Sequence, residues 1–112
     1  MHRVILHISS SETKTQQRIF NQIANILSEL PDTIIEVATH SDATTMVFKG
    51  AKFNEQIANV SNNQITFLAC ENSLKSHNME ASDLADGVKV VKSTLAHIIK
   101  RQTEGWLYIK IG

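Results

Sequence analysis

Residues 65–70 decide the fold prediction, and they read Ile-Thr-Phe-Leu-Ala-Cys before a polar stretch begins at Glu71. A short apolar run bounded by polar residues is typical of a buried β-strand. Cys70 closes this run and is the only cysteine in the chain. In one interpretation the thiol leaves the core at the strand end and reaches the rim where α/β sheets carry their binding crevices. In the other, Cys70 is a small core residue, because free cysteines are often buried.

Four other segments share the β-branched and apolar character of this strand. Together with it they predict strands over 3–8, 33–39, 64–69, 88–91 and 106–111. Apolar residues at helical spacing predict a long helix that follows the serines at 9–11, and shorter helices over 53–60 and 93–103. The serines are expected to cap the long helix, which ends at Pro31.

Two segments have a weaker pattern. Residues 41–52 show no clear preference, and residues 71–86 are polar with one or two helical turns.

Strands that alternate with helices of roughly ten residues predict an α/β fold with a mainly parallel five-stranded sheet and helices on both faces. The pattern leaves the strand order open.

Composition narrows the class of protein. The 112 residues make one domain, residues 1–112, and 42% of them are hydrophobic. Lys and Arg number 11, as do Asp and Glu, so no overall field attracts nucleic acid or an anionic membrane. No apolar run approaches the roughly 18 residues of a membrane span, and the first residues do not resemble a signal peptide. A lone cysteine makes no internal disulfide, which favours a reducing cytoplasm.

The strand exits define the candidate site, because parallel strands end at one edge of a sheet. This rim carries Ser9–Ser11, His40–Asp42, Cys70–Asn72 and Lys92–Ser93. A thiolate at Cys70 is both a nucleophile and a ligand, and a helical turn after it would lower its pKa. The charge of Glu71 opposes that effect, and Lys92 offsets Glu71 if the two strands lie close.

His40 and His77 are candidate proton carriers or ligands, although an ordinary strand-end or loop position also explains each. Their spacing from Cys70 fits no zinc pattern, so no metal is expected. The serines at 9–11 resemble a phosphate loop, but the loop lacks glycine and Glu12 repels an anion, so no cofactor is expected. The candidate site is therefore Cys70 as the reacting group, with His40, Glu71, Asn72, Lys92 and Ser9 as binding or tuning residues.

The second half of the chain resembles the DsrE/DsrF-like family of small sulfur-relay proteins. The resemblance lies in Phe67-Leu68-Ala69-Cys70-Glu71-Asn72-Ser73-Leu74, Met79, Ser82-Asp83-Leu84, Gly87-Val88-Lys89-Val90-Val91 and Gln102-Thr103-Glu104-Gly105-Trp106-Leu107-Tyr108-Ile109. It implies a three-layer α/β/α domain of the flavodoxin-like kind and homo- or hetero-oligomers, often trimers or hexamers. It also implies that a cysteine at the Cys70 position accepts sulfur as a persulfide. Many relatives have glycine after the second-strand histidine, where this chain has Ser41.

Three hypotheses for function follow. The first is a persulfide carrier that acts through Cys70 and, with no second cysteine, must exchange sulfur with donor and acceptor chains. The second is a non-catalytic oligomeric module that binds a small ligand or partner at the same rim, and the third is a redox-sensing thiol. The apolar residues Met46, Val47, Phe48 and Phe53 form either a core lid or a subunit interface, and we expect them in a homo-oligomer contact, most simply of a trimer or hexamer.

Overall fold

The structure is a computed structural model that describes residues 1–112. The chain forms five strands, four α-helices and two 3₁₀ segments, in the order β1 Arg3–Ile8, α1 Thr13–Glu29, β2 Ile34–Thr39, first 3₁₀ segment Ser41–Val47, α2 Asn54–Val60, β3 Ile65–Cys70, α3 Glu71–Ser76, second 3₁₀ segment Ala81–Asp83, β4 Lys89–Val91, α4 Thr94–Thr103 and β5 Leu107–Ile111. Every predicted strand lies within one residue of its observed bounds, and the α/β class is confirmed. None of the helices combines the length and apolar character needed to cross a membrane.

The five strands form one sheet in the order β4-β3-β2-β1-β5, and every neighbouring pair is parallel. The chain adds β2, β3 and β4 in turn on one side of β1, and then crosses back to place β5 on the other side. Crossover connections between parallel strands are right-handed, so this reversal of direction moves the last helix to the opposite face of the sheet. The result is the three-layer arrangement.

The two faces of the sheet are covered unequally. On one face, called here the large-core face, α1, α2, α3 and the 3₁₀ segments enclose a core of 19 buried residues. On the other, called the α4 face, the core has five buried residues, Ile5, Ala38, Leu68, Ile98 and Trp106. Burial of apolar area drives folding, so the large-core face supplies most of the hydrophobic stabilisation.

The site follows from this topology. The connection after β3 contributes Leu74 and Leu84 to the large core, whereas the connection after β4 leads to Ile98 on the other face. Two neighbouring strands whose connections leave toward opposite faces open a crevice at their carboxyl ends. The sheet order therefore places a crevice beside the last residue of β3.

The helix that borders this crevice, α4, is fixed at both ends. The Ser93 hydroxyl accepts a hydrogen bond from the backbone N–H of Ala96 at 3.2 Å and caps the first turn. At the other end Gly105 has φ +93°, and the backbone N–H of Trp106 donates to the Arg101 carbonyl at 2.9 Å. Only glycine adopts this left-handed conformation readily, so Gly105 ends the helix.

The predicted subunit contact is wrong for the residues that were named. Met46, Val47 and Phe53 are at most 2% exposed within the single chain, and Phe48 packs against the same core. Residues three apart share one side of a 3₁₀ helix, so the first 3₁₀ segment turns its apolar residues inward. The core-lid interpretation is the one that the structure supports.

The predicted serine cap of α1 is also wrong. Glu12 occupies the N-cap position, and no side chain caps the helix. The Ser10 hydroxyl instead accepts from the backbone N–H of Glu12 at 3.0 Å, one residue before the helix begins. The serines therefore shape the loop after β1 and leave the first turn of α1 without a side-chain acceptor.

Candidate functional site

A polar cavity of about 400 Å³ lies at the crevice beside β3. The residues that line it come from the segments at the exits of three strands, β2, β3 and β4, and are mostly short and polar: His40, Ser41, Asp42, Cys70, Asn72, Ser73, Ser76, His77, Ser93, Thr94 and Leu95. Hydroxyl, amide and imidazole groups dominate this lining, and Cys70 is the only thiol among them. The cavity therefore suits a small polar or anionic group held against a thiol.

Cys70 is both the last residue of β3 and the N-cap of α3. Its residue is only 3% exposed, yet it lines the cavity. Leu68, two residues earlier, belongs to the core under α4, so the thiol is directed to the α4 face of the sheet. The two interpretations of the sequence thus describe one residue, which is buried and also borders the crevice.

The surroundings of the sulfur favour its ionised form. Burial raises the pKa of Cys70, but hydrogen-bond donors of Thr94 and Ser73, chiefly their backbone N–H groups, lower it by more. The pKa of the thiol is therefore below its ordinary value. Both N–H groups belong to first turns of helices, where unpaired donors favour an anion.

The two hydroxyl groups beside the sulfur differ in what they can donate. The Thr94 hydroxyl donates its one hydrogen to the Thr39 carbonyl at 3.0 Å, so the N–H of Thr94 is the donor that remains for a thiolate. The Ser73 hydroxyl accepts from the backbone N–H of Ser41 at 3.1 Å, which leaves its hydrogen free for the sulfur. Ser73 is therefore the side-chain donor to Cys70.

His40 lies beside Cys70 at the same edge of the sheet. In the parallel register Ala38 of β2 pairs with Leu68 of β3, and His40 and Cys70 each follow two residues later. Side chains two residues apart point to the same face, so His40 and Cys70 share the α4 face and line one cavity. The imidazole is thus the titratable group that the sheet register brings toward the thiol.

His77 closes the other side of the cavity. Its Nδ1 atom lies 2.8 Å from the Ser73 carbonyl oxygen and its Nε2 atom 4.0 Å from a carboxylate oxygen of Asp42. These contacts hold the ring in the wall formed by α3. No three His, Cys, Asp or Glu side chains lie close enough together to hold a metal ion.

The remaining predicted site residues divide between the cavity and its surroundings. Asn72 lines the cavity. Glu71 and Lys92 line separate grooves on either side of β4, and Glu71 pairs with Lys75 at 3.4 Å. Ser9, at the end of β1, lies away from the cavity. The backbone carbonyl oxygen of Lys92 lies 4.0 Å from the Cys70 sulfur, so Lys92 approaches the thiol through its backbone.

Sequence reasoning missed the two residues that act most directly on the thiol, Ser73 and Thr94. Their signal was present, because each is a hydroxyl residue in the first helical turn after a strand. It also assigned no role to two histidines that the structure pairs. His7 contacts Tyr108, and His97 bonds the buried carboxylate of Glu36 at 2.7 Å.

Comparison with known proteins identifies the family. The sequence model of the DsrE/DsrF-like family matches residues 2–111. The solved structure of MTH1491, a protein of unknown function from Methanobacterium thermoautotrophicum, is 30% identical, with a TM-score of 0.94 over 98% of this chain and 99% of that chain. The ychN protein from E. coli shares the fold at 12% identity, with a TM-score of 0.83 and the same coverage. No curated protein matches this sequence. Because the family match spans nearly all of its residues, the chain belongs to the DsrE/DsrF-like family.

Proposed function

We propose that this protein is a persulfide carrier in which Cys70 accepts a sulfane sulfur from one protein and passes it to another. The observation that carries the proposal is the lowered pKa of the only cysteine, at the wall of a polar cavity. Membership of the DsrE/DsrF-like family suggests a role related to sulfur relay. A lone thiol is suited to a reducing compartment, so the proposal places the carrier in the cytoplasm.

The chemistry needs a thiolate and no oxidant. The Cys70 thiolate attacks the terminal sulfur of a donor persulfide, R–S–SH, and a new sulfur–sulfur bond forms at Cys70. The bond between R–S and the terminal sulfur breaks, and its electron pair leaves with R–S. An acceptor thiolate then attacks the terminal sulfur on Cys70 in the same way and restores the Cys70 thiolate. Because each step exchanges one thiolate for another, there is no net oxidation or reduction.

The cavity supports both halves of this exchange. The N–H groups that stabilise a thiolate at Cys70 can equally stabilise the negative charge of a bound persulfide. The exposed residues Asn72, Ser76 and Leu95 form the outer part of the lining, so the donor and acceptor thiols approach from their side. The absence of a second cysteine means that both partners belong to other chains.

The direct test is mass spectrometry of the folded protein after incubation with a sulfane-sulfur donor. We expect one added sulfur atom, removable by a reducing thiol, and none in Cys70→Ser. Serine is nearly isosteric and accepts the same hydrogen bonds, so the variant should keep the fold, as circular dichroism can verify.

A second measurement tests access to the thiol. We expect iodoacetamide to label Cys70 in the folded state. A thiol that labels only after denaturation would argue against a carrier. Labelling without any sulfur loading would favour the alternative of a binding module at the same cavity.

We also propose that the protein is a homo-oligomer, a trimer or hexamer, through the surface formed by α4 and β5. The exposed large apolar residues concentrate on these two elements: Leu95 and Ile99 of α4 and Tyr108 of β5 lie on the α4 face, whereas Leu107 and Ile109 lie on the other face of the edge strand, beside α1. The edge strand β5 also presents unpaired backbone groups, and the same surface is available on a second copy.

Light scattering should show an oligomer that Ile99→Asp dissociates, whereas the matched exposed change Lys100→Asp has little effect. A monomeric wild-type protein would contradict this.

A further inference from the structure

His7 has a buried imidazole that takes no part in the sulfur exchange described above. It lies in β1, is 8% exposed, and its Nδ1 atom is 2.8 Å from the Tyr108 hydroxyl oxygen. In one tautomer Nδ1 accepts from the hydroxyl, and in the other it donates to it. In both, the Nε2 atom is buried and has no hydrogen-bond partner. An unpaired buried polar atom destabilises the fold and calls for an explanation.

The neighbour of His7 on the cavity side is His40. The two ring centroids are 5.6 Å apart and the rings are tilted by 35°. Rings at this separation reach hydrogen-bonding distance when a nitrogen of one turns toward a nitrogen of the other. His40 lines the cavity with Cys70, so His7 stands directly behind a cavity residue.

The charges around the two rings favour a neutral His7. Burial, the nearby His40 ring whenever it is protonated, and the positive charge of Lys110 on β5 lower the pKa of His7 below its ordinary value. Tyr108 is the other titratable group that faces it, also from β5. Across the cavity, His40 faces Cys70, His77 and Asp42. A neutral His7 can accept a hydrogen bond from His40 without repelling it.

We propose that Tyr108 and His7 are positioning residues for His40, and that His40 transfers the proton that sulfur exchange at Cys70 requires. This inference rests on the proposed carrier function. The hydroxyl of Tyr108 fixes the ring of His7, whose free Nε2 atom then orients the His40 ring at the cavity wall. The sheet order β5-β1-β2-β3 places the four residues in sequence across one face.

The proton balance shows what His40 does. A donor R–S–SH reacts with the Cys70 thiolate to give a persulfide anion on Cys70 and the thiol R–SH. The proton on the terminal sulfur of the donor must therefore reach the departing R–S sulfur. His40 takes up the proton of the newly formed Cys70 persulfide as that group ionises and gives it to the departing R–S sulfur, so the imidazole is neutral before and after the step.

The test compares two sulfur donors on the intact protein. Glutathione persulfide releases a thiolate of ordinary basicity, whereas the persulfide of an acidic aromatic thiol releases a thiolate that leaves without protonation. We expect His7→Gln and Tyr108→Phe to slow loading from glutathione persulfide about tenfold, and loading from the aromatic persulfide much less. His40→Gln should show the same selectivity more strongly. The control is His2→Gln, since His2 lies at the opposite end of the sheet.

Three outcomes would overturn the inference. The first is that His7→Gln and Tyr108→Phe both load sulfur from glutathione persulfide as fast as the wild-type protein. Equal slowing for the two donors would indicate a merely structural role. The nitrogen chemical shifts of the His40 ring provide a test that needs no sulfur-transfer assay. If they are unchanged in His7→Gln, His7 does not position His40. A wild-type protein that is alkylated by iodoacetamide but loads from neither donor would instead remove the carrier function itself.

Discussion

The large-core face and the α4 face of the sheet differ in what they bury. The first encloses 19 residues that are all apolar. The second has five apolar core residues, and beside them Glu36 with its partners, the His7–Tyr108 pair and Cys70. One face therefore supplies most of the apolar core, and the other holds every buried titratable side chain, namely His7, Glu36 and Cys70.

The difference shows how a chain of 112 residues accommodates a buried thiol and its polar neighbours on one face of the sheet. Buried polar groups contribute little net stability, because the loss of hydration offsets what their hydrogen bonds gain. A compensating apolar core on the opposite face lets the α4 face carry them.

Matched isoleucines on the two faces give the largest expected effect. Ile19 on α1 is fully buried in the large core, and Ile98 on α4 is 5% exposed in the small one. We expect Ile19→Ala to lower the free energy of unfolding by about 4 kcal/mol and Ile98→Ala by about 2 kcal/mol. Urea denaturation measures both. Equal losses would mean that the faces contribute alike.

Glu36→Gln tests the polar network under α4. The Glu36 carboxylate accepts hydrogen bonds from Arg101 at 2.9 and 3.0 Å and lies 2.7 Å from His97. The glutamine keeps an acceptor oxygen, and Arg101 keeps its 2.9 Å bond to Glu104, so removing the charge should lower the free energy of unfolding by about 1–2 kcal/mol. Thermal denaturation of the variant at neutral pH gives the value.

The same carboxylate gives a pH dependence. Burial raises the pKa of Glu36, but the hydrogen bonds from Arg101 and His97 lower it by more, so its pKa is below the ordinary value. The ionised Glu36 carboxylate contributes fully to the free energy of unfolding at a pH above the ordinary carboxylate pKa. This contribution is lost as the pH falls through the lowered pKa of Glu36. The stability difference between wild type and Glu36→Gln should therefore shrink in acid. A difference that grows in acid would refute the assignment.

Ser73→Ala tests the thiol environment with a smaller effect on stability, about 1 kcal/mol. It removes the hydroxyl that donates to Cys70, so the pKa of Cys70 should rise and alkylation at neutral pH should slow. The pH profile of the iodoacetamide reaction measures this shift. Ser76→Ala is the matched control, because that hydroxyl lines the same cavity but donates to the Ser73 carbonyl at 2.9 Å. An equal shift in both variants would remove Ser73 from the site.

The smallest effect is expected at Ser41, between the two faces. Ser41 has φ +53°, a left-handed conformation that costs a residue with a side chain about 1 kcal/mol or more. Ser41→Gly removes that strain at some cost in chain entropy, so we expect a gain of about 0.5 kcal/mol. Its backbone N–H still donates to Ser73, and the cavity is kept. Destabilisation by the glycine would show that the serine side chain is needed.

The large-core face was predictable because its residues follow regular periods. Ile19 and Ile23 repeat at helical spacing, and the strand residues from Ile65 to Ala69 form an apolar run, so elements and bounds could be inferred. The first 3₁₀ segment lacks such a period. Its apolar residues were assigned to a subunit contact because only the tertiary structure shows that they turn inward.

The α4 face was less predictable because its contacts join distant residues. Cys70 and His40 could be placed at one edge, since parallel strands end together. The pairing of His7 with Tyr108 spans 101 residues and depends on β5 lying beside β1, which the strand order had left open. The donors Ser73 and Thr94 depend on where two helices begin, and helix starts are uncertain by a residue or two.

The short strand β4 has a consequence for when Cys70 reacts. It has three residues, pairs only with β3, and joins the sheet at Val91 directly opposite Cys70. Edge segments with few contacts exchange their amide hydrogens through local opening, well before the domain unfolds as a whole. Amide exchange at Val91 and alkylation of Cys70 should therefore report one breathing motion. The thiol would then be available for the fraction of time in which that edge is open.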